Sequence, residues 1–387
     1  MTLEREKIVP HLKMTGRNVG LHSLGGTVHS VRDFATINKK CLKKNEAALI
    51  KEQKPLLSAS TPSFEKPLIM SFKKGEQGIP AVRSGARSAY VKDKALKFKG
   101  CRPKPGVEFP TWDLEFGSSQ AVTKTTGFGT LSAENVMREV LAYCFFTKYG
   151  MPLLQEPVCV FEYADDKGYC LVLRTPKDER TEHQLEYYDL TLREVITIKL
   201  LEKKFGVHIL TGDVATKGIE QQWYAAQKGK LLISMNFHGG FRGILNSNIG
   251  NDIFYENSLY ICDFDTFKVI DIPEHPSPTF LKHFCLWCFV ELFKTSPLVW
   301  DYLDLDGKTE KAVGLLQKSF FENSCLGTYY KAQFFTEAKK RGWDAVEEAL
   351  TEAAQTEVYY QVLLDCVLNS EVLKMSYKPE LGIYAVH

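Results

Sequence analysis

A carboxylate on the core-facing stripe of a helix constrains this chain more than any other feature. Ser132 is a good N-cap and Glu134 favours a first helical turn, while Gly150 closes the segment and Pro152 prevents its continuation. Within that helix Val136, Glu139, Val140 and Tyr143 share one face by the i, i+3, i+4 rule. Glu139 therefore sits among residues that should face a core. A carboxylate there must find a cation or a proton. The natural candidate is Lys99, at the end of a short strand pattern over residues 95–100. Leu96 and Phe98 fall on one face of that strand, Lys97 and Lys99 on the other. A fold that pairs the two brings the strand end and the helix together.

The surrounding pattern is strands first and helices afterwards. Gly75, Gly78 and Gly85 punctuate a segment carrying Arg83 and Arg87, and a polar turn at Lys92-Asp93-Lys94 leads into the Lys99 strand, so a hairpin is predicted. Residues 101–131 are rich in Gly, Pro, Ser and Thr and read as a long loop. After the Glu139 helix, residues 157–163 and 169–174 form a second antiparallel pair around a turn containing Gly168. Residues 190–205 and 213–228 carry helical periods, and residues 253–255 and 259–262 read as a further hairpin that delivers Asp263-Phe264-Asp265. From Pro278 apolar helical patterns run to about residue 373. The expected class is α+β and bilobal: a basic N-terminal arm and linker at 1–75, a small strand-rich N-lobe at 76–180, and a mostly helical C-lobe at 181–387 holding the Asn-rich loop and the hairpin.

With 387 residues, 44% hydrophobic and 25% charged, the chain has the make-up of a soluble globular protein with a large core. Its net charge of +2 offers no general field for nucleic acid or anionic lipid. The first 60 residues are the exception, with eleven Lys/Arg against five Asp/Glu. They read as a solvated arm or as a docking segment for an acidic partner. The ten cysteines follow no framework spacing; Cys285 and Cys288 form a CxxC inside an apolar helix-like run, which favours core packing over metal or redox use. Free thiols, an N-terminus without a signal-peptide core, and no stretch near ~20 apolar residues make the expected location cytoplasmic, off the membrane.

Lys99, Glu139, the Asn246-Ser247-Asn248 loop and Asp263 come in the order of the polar parts that a protein-kinase-like site uses to hold ATP and Mg²⁺. A lysine held by a glutamate gives phosphate oxygens a fixed positive charge, and Asn246, Asn248 and Asp263 are hard oxygen ligands for the metal. Each has a plain alternative: an exposed strand lysine, a solvated helix glutamate, turn-forming asparagines, capping aspartates. His238, before Gly239-Gly240, can hold its loop by hydrogen bonds or transfer a proton, and the scaffold role is favoured. The ordered set is what carries the functional reading.

Over residues 78–270 the chain resembles the selenoprotein O family, a kinase-like group. The likeness lies in Phe98-Lys99-Gly100-Cys101, in Met137-Arg138-Glu139-Val140-Leu141 and in Tyr149-Gly150-Met151-Pro152. It extends to the segment from Leu171 to Arg180, to His238-Gly239 and to Ile244-Leu245-Asn246-Ser247-Asn248. That family transfers AMP from ATP to protein hydroxyls, with the nucleotide reversed relative to ordinary kinases. The resemblance implies an ion pair between Lys99 and Glu139, a phosphate grip by Arg174 and Arg180, and a metal held by Asn248 and Asp263. Arg83 and Arg87 are counted with the nucleotide contacts. The chain departs from the pattern in three places. No Asp lies between Asn246 and Asn248, Gly240-Phe241-Arg242-Gly243 is inserted, and Asp265 stands where the family has glycine. Asp265 is a candidate replacement for the missing loop carboxylate. Beyond about residue 275 nothing matches.

Other motifs are weak. Gly127-Phe128-Gly129 lacks the third glycine and the preceding strand of a dinucleotide site, and Lys124-Thr125 lacks the glycine spacing of a P-loop. The expectation is an ATP- and Mg²⁺-dependent transferase moving AMP or phosphate to a protein side chain or small molecule. The alternative is an inactive pseudokinase serving as a nucleotide-regulated binding module, and a third reading is a scaffold working through the basic arm.

Overall fold

In a computed structural model of the chain, the described residues are 18–23, 25–57, 70–73, 78–84, 88–103, 130–164, 168–178, 214–242, 251–293, 325–353, 375–378 and 383–386. They form an α+β structure built on a curled, largely antiparallel nine-stranded sheet with helices against one face. Its strands are β1 (Asn18–Ser23), β2 (Gly26–Ser30), β3 (Met70–Lys73), β4 (Ile79–Arg83), β5 (Ser88–Val91), β6 (Leu96–Lys99), β7 (Arg102–Pro103), β8 (Glu156–Tyr163) and β9 (Tyr169–Arg174). Their order is β2-β8-β9-β6-β5-β4-β1-β3-β7, with only β3 and β7 parallel. The predicted hairpins are present: β5 and β6 turn through Lys92–Lys94 with Ala95 at φ 50, and β8 pairs with β9.

Period-two alternation splits the sheet's side chains between two cores. Phe98, Val172, Cys170 and Phe161 point into a smaller cluster enclosed by the curl. Leu171, Leu173 and Val160 point to the helical side. Lys99 pairs with Leu171 and Lys97 with Leu173, so both lysines face the helices. They are 5% and 2% exposed. The strand-face assignment from sequence holds, and the exposed-lysine alternative does not.

Helix α1 (Val31–Ile37) and helix α2 (Lys44–Gln53) precede the central helix α3 (Ala133–Lys148). Ser132 caps α3 by accepting from the Asn135 N–H, as its position predicts. Gly150 closes it at φ 60. Helix α3 is buried on more than one side, because β8 and β9 lie against one flank and later helices against another. Those later helices are α4 (Val214–Phe237), α5 (Pro278–Phe293), α6 (Cys325–Lys340) and α7 (Val346–Ala353). Between α4 and α5 run β10 (Gly240–Phe241), β11 (Asp252–Tyr255), β12 (Ser258–Ile261) and β13 (Lys268–Val269); β10 pairs with β13 and β11 with β12. A last hairpin, β14 (Met375–Lys378) with β15 (Ile383–Val386), was not read from the sequence. Helix α4 is longer than the predicted 213–228 and takes in residues 229–237.

Over residues 18–57 and 70–73 the N-terminal arm is corrected, and residues 1–17 lie outside the described residues. Strands β1, β2 and β3 belong to the nine-stranded sheet, and α1 and α2 pack against α3 through Phe34, Leu49 and Ile50. The charge count hid an amphipathic pattern: Lys39, Lys40, Lys44 and Lys51 are exposed while an apolar stripe is buried beside them. The linker at 58–69 and the expected helix at 190–205 lie outside the described residues. Cys285 and Cys288 are buried in α5 as free thiols, and burial pushes Cys285 up to about 12. Among the described residues no helix is long and apolar enough to cross a membrane.

Candidate functional site

Three elements converge on the ammonium of Lys99. Strand β6 supplies the lysine on its helical face, and α3 brings Glu139 against it in a buried ion pair. The chain leaving β12 brings Asp263, which also accepts from the Lys99 ammonium. Asp265 follows, with a carboxylate oxygen 3.8 Å from the same nitrogen. Three carboxylates thus face one buried cation. Burial pushes the Glu139 carboxyl above its ordinary range, Lys99 opposes that rise, and Asp263 and Asp265 add to it.

The turn after β12 depends on Asp263 adopting φ 68, a left-handed conformation that aspartate enters more readily than bulky residues. It aims the Phe264 N–H at Glu139 Oε1, 3.0 Å away. The Phe264 ring enters the core beneath α3, 5.2 Å from Phe146 and 5.8 Å from Phe267 between centroids. Asn135 donates to the Asp265 carbonyl at 3.2 Å. One helix therefore caps itself with Asn135, orients Lys99 with Glu139, and fixes both ends of the Asp263–Asp265 turn.

A second polar cluster, unforeseen from sequence, surrounds Arg242. Arg242 is fully buried; its guanidinium donates to the carbonyls of Asn251 (2.7 Å) and Cys262, and lies 3.3 Å from Asp252. Lys228 of α4 donates to the same Asp252 carboxylate. Burial lowers the Lys228 ammonium from 10.5 to about 8, with Asp252 opposing and Arg242 adding to the shift. Glu291 of α5 accepts from the Arg242 backbone N–H and from Asn236 Nδ2 at 2.6 Å, and Tyr330 donates to Asn236 at 3.1 Å. Residues 242 and 251, which flank the Asn-rich stretch, are thereby held together. The sequence signal was a lysine at helical spacing from Ala225 and Leu232, both buried, and a glutamate in the apolar run of α5.

A third buried pair lies one step along β6. Lys97 donates to Asp178 at 2.6 Å, and Gln155 is 3.4 Å from the same oxygen. The alternation that buries Lys99 buries Lys97 as well, and each lysine takes its own carboxylate.

The remaining expectations divide. Lys99, Glu139, Asp263 and Asp265 come together. His238 does not join them. Its ring stacks on Tyr149 at 4.1 Å, at the C-terminal end of α3, about 15 Å along the helix from Glu139. Burial and then Arg341 lower its basicity. Arg174 pairs with Glu156 at 2.9 Å, its side chain 61% exposed, and does not reach the Lys99 cluster. Arg83 ends β4, its side chain outside the described residues, as are Arg87, Arg180, Asn246 and Asn248.

For a divalent metal the donor chemistry fits: Asp263 and Asp265 are hard oxygen donors beside each other, and the Asp263 side chain is 22% exposed. Among the described residues, however, no three His, Cys, Asp or Glu side chains are grouped so as to hold a metal ion by themselves. Compared with known proteins, the chain matches no family model, no curated protein and no solved structure.

Proposed function

We propose that this chain is a bilobal, protein-kinase-like transferase that binds ATP with Mg²⁺ and moves AMP or phosphate to a protein side chain or small-molecule acceptor. The observation that carries this reading is the Lys99 ammonium held between Glu139 of α3 and Asp263 after β12. A cation so fixed is oriented before a phosphate arrives, which is how electrostatic catalysis of phosphoryl and nucleotidyl transfer works. The strand order supports the fold assignment: β4-β5-β6-β9-β8 runs with α3 inserted between the β6 and β8 segments, and a helical region follows.

In this reading Lys99 holds phosphate oxygens, Glu139 keeps the ammonium aimed, and Asp263 is the metal-facing carboxylate, with Asn246 and Asn248 as candidate partners. Mg²⁺, when bound, neutralises phosphate charge. Asp265, 3.8 Å from the ammonium, takes the place of the absent loop carboxylate. Attack of an acceptor hydroxyl on the α-phosphorus releases pyrophosphate; attack on the γ-phosphorus releases ADP. Incubation with Mg²⁺ and ATP labelled at the α or the γ phosphorus separates the two. Label retained from neither, with wild-type chain and a broad set of acceptors, ends the enzyme reading.

A second reading is favoured by one sequence fact. Residues 243–250 contain no Asp or Glu, so that stretch has no carboxylate to take the acceptor's proton. A pseudokinase would bind ATP and present a surface. Thermal stabilisation by ATP and Mg²⁺ without transfer of either label supports this form.

A further inference from the structure

Helix α2 meets the site from behind. Glu46 is fully buried, and its carboxylate accepts from three elements at once: the Lys43 N–H of its own helix start (3.0 Å), Arg138 of α3 (2.7 Å) and the Val269 N–H of β13 (3.1 Å). Beside it, Asn45 Nδ2 donates to the Val269 carbonyl (3.1 Å) and to Asp271 (3.2 Å). Both backbone groups of Val269 are thus paired by side chains of one helical turn, while β10 pairs β13 through its own ladder. Arg138 and Glu139 are consecutive on α3: one is held by α2, the other holds Lys99. Val269 lies four residues after Asp265, so the same turn of α2 grips both elements that carry the carboxylates.

We infer that the helical segment 31–57 is a built-in positioner of the Lys99 cluster, acting through Glu46 and Asn45. This rests on the reading of that cluster as a nucleotide site, and it goes further by naming what positions the site. Were α2 displaced, Arg138 would keep only the partly exposed Glu134, 3.2 Å away, and the Val269 N–H would lose its side-chain acceptor. A buried guanidinium without its main partner is costly, so α3 and β13 would shift to find others. Glu139 and the Asp263–Asp265 turn would move with them, away from Lys99. Asn45 and Glu46 are positioning residues: neither touches Lys99.

The test uses the full chain. Asn45 is half-buried, so Asn45→Ala removes one hydrogen bond to β13, at Val269, and one to Asp271 just after it, with little loss of packing. Hydrogen exchange without nucleotide should quicken roughly tenfold in peptides covering residues 262–270 and stay at the wild-type rate in the β8–β9 hairpin. Affinity for ATP with Mg²⁺ should fall by a similar factor. Glu52→Gln removes an exposed α2–α3 pair (2.7 Å to Lys148) and should change neither readout. Wild-type exchange at 262–270 in Asn45→Ala, or equal quickening in β8–β9, overturns the inference. If wild-type chain binds no ATP at all, the nucleotide reading fails by itself, and the exchange arm still reports whether α2 positions the turn.

Discussion

At the scale of the residue, the chain is notable for buried charge that is paired. Lys99, Lys97, Lys228 and Arg242 each lie in apolar surroundings with a carboxylate beside them. Deleting one partner of such a pair leaves the other uncompensated, while a substitute that keeps the hydrogen bonds is milder. Lys99→Met should therefore cost about 3–5 kcal/mol of stability, by denaturant titration, because Glu139, Asp263 and Asp265 lose their shared cation. Glu139→Gln should cost less, since its amide oxygen can still accept from Phe264 N–H and Asp263 still serves the ammonium. Lys228 allows a pH test. Its folded value of about 8 lies below the ordinary 10.5. Between those limits the unfolded chain carries a proton that the folded chain has released, so stability rises with pH through the window and the contribution is level below it. In Lys228→Met this rise should be missing, read as the difference between wild-type and variant unfolding free energies from pH 8 to pH 10.5.

At the scale of the element, α3 organises the molecule. It touches the sheet through β8 and β9, holds α2 through Arg138, and meets the turn after β12 through Glu139 and Phe146. Phe264 is the apolar counterpart of the Glu139 contact. It is 2% exposed, and its removal leaves a cavity under α3. Phe264→Ala should lower stability by about 3–5 kcal/mol. On the proposed nucleotide reading, the ATP affinity of whatever fraction remains folded should drop as well, since the Asp263 turn loses its anchor. Circular dichroism melts followed by calorimetric titration separate the two effects.

At the scale of the whole molecule, the two cores meet at the sheet, and the Lys99 cluster lies on its helical side, where sheet, α3 and the β11–β12 hairpin come together. A ligand bound there touches elements remote in sequence and should stabilise the whole fold. On the proposed reading, ATP with Mg²⁺ at a hundredfold excess over its dissociation constant should add about 2.7 kcal/mol, seen as a rise in Tm. Asp263→Asn should abolish the Mg²⁺-dependent part of that rise while keeping the apo Tm close to wild type, because the substitution keeps the side chain's shape. An unchanged Mg²⁺ dependence in that variant would rule out Asp263 as a metal ligand.

What could be read from sequence alone was local and periodic. The β5–β6, β8–β9 and β11–β12 hairpins, the cap and stop of α3, the two faces of β6 and the core-facing place of Glu139 each follow from turn chemistry or a repeat of side-chain spacing. The pairing of Lys99 with Glu139 was also legible, because a buried carboxylate has few ways to be tolerated. Distant pairings were not. Glu46 meets Val269 across 223 positions, and Glu291 meets Arg242 across 49. No periodicity links such residues; only packing does, once loop closure has brought their helices together. For the same reason the first 60 residues read as a charged arm. Charge is countable along a chain, whereas the surface that covers an apolar stripe exists only after α3 and the sheet have formed.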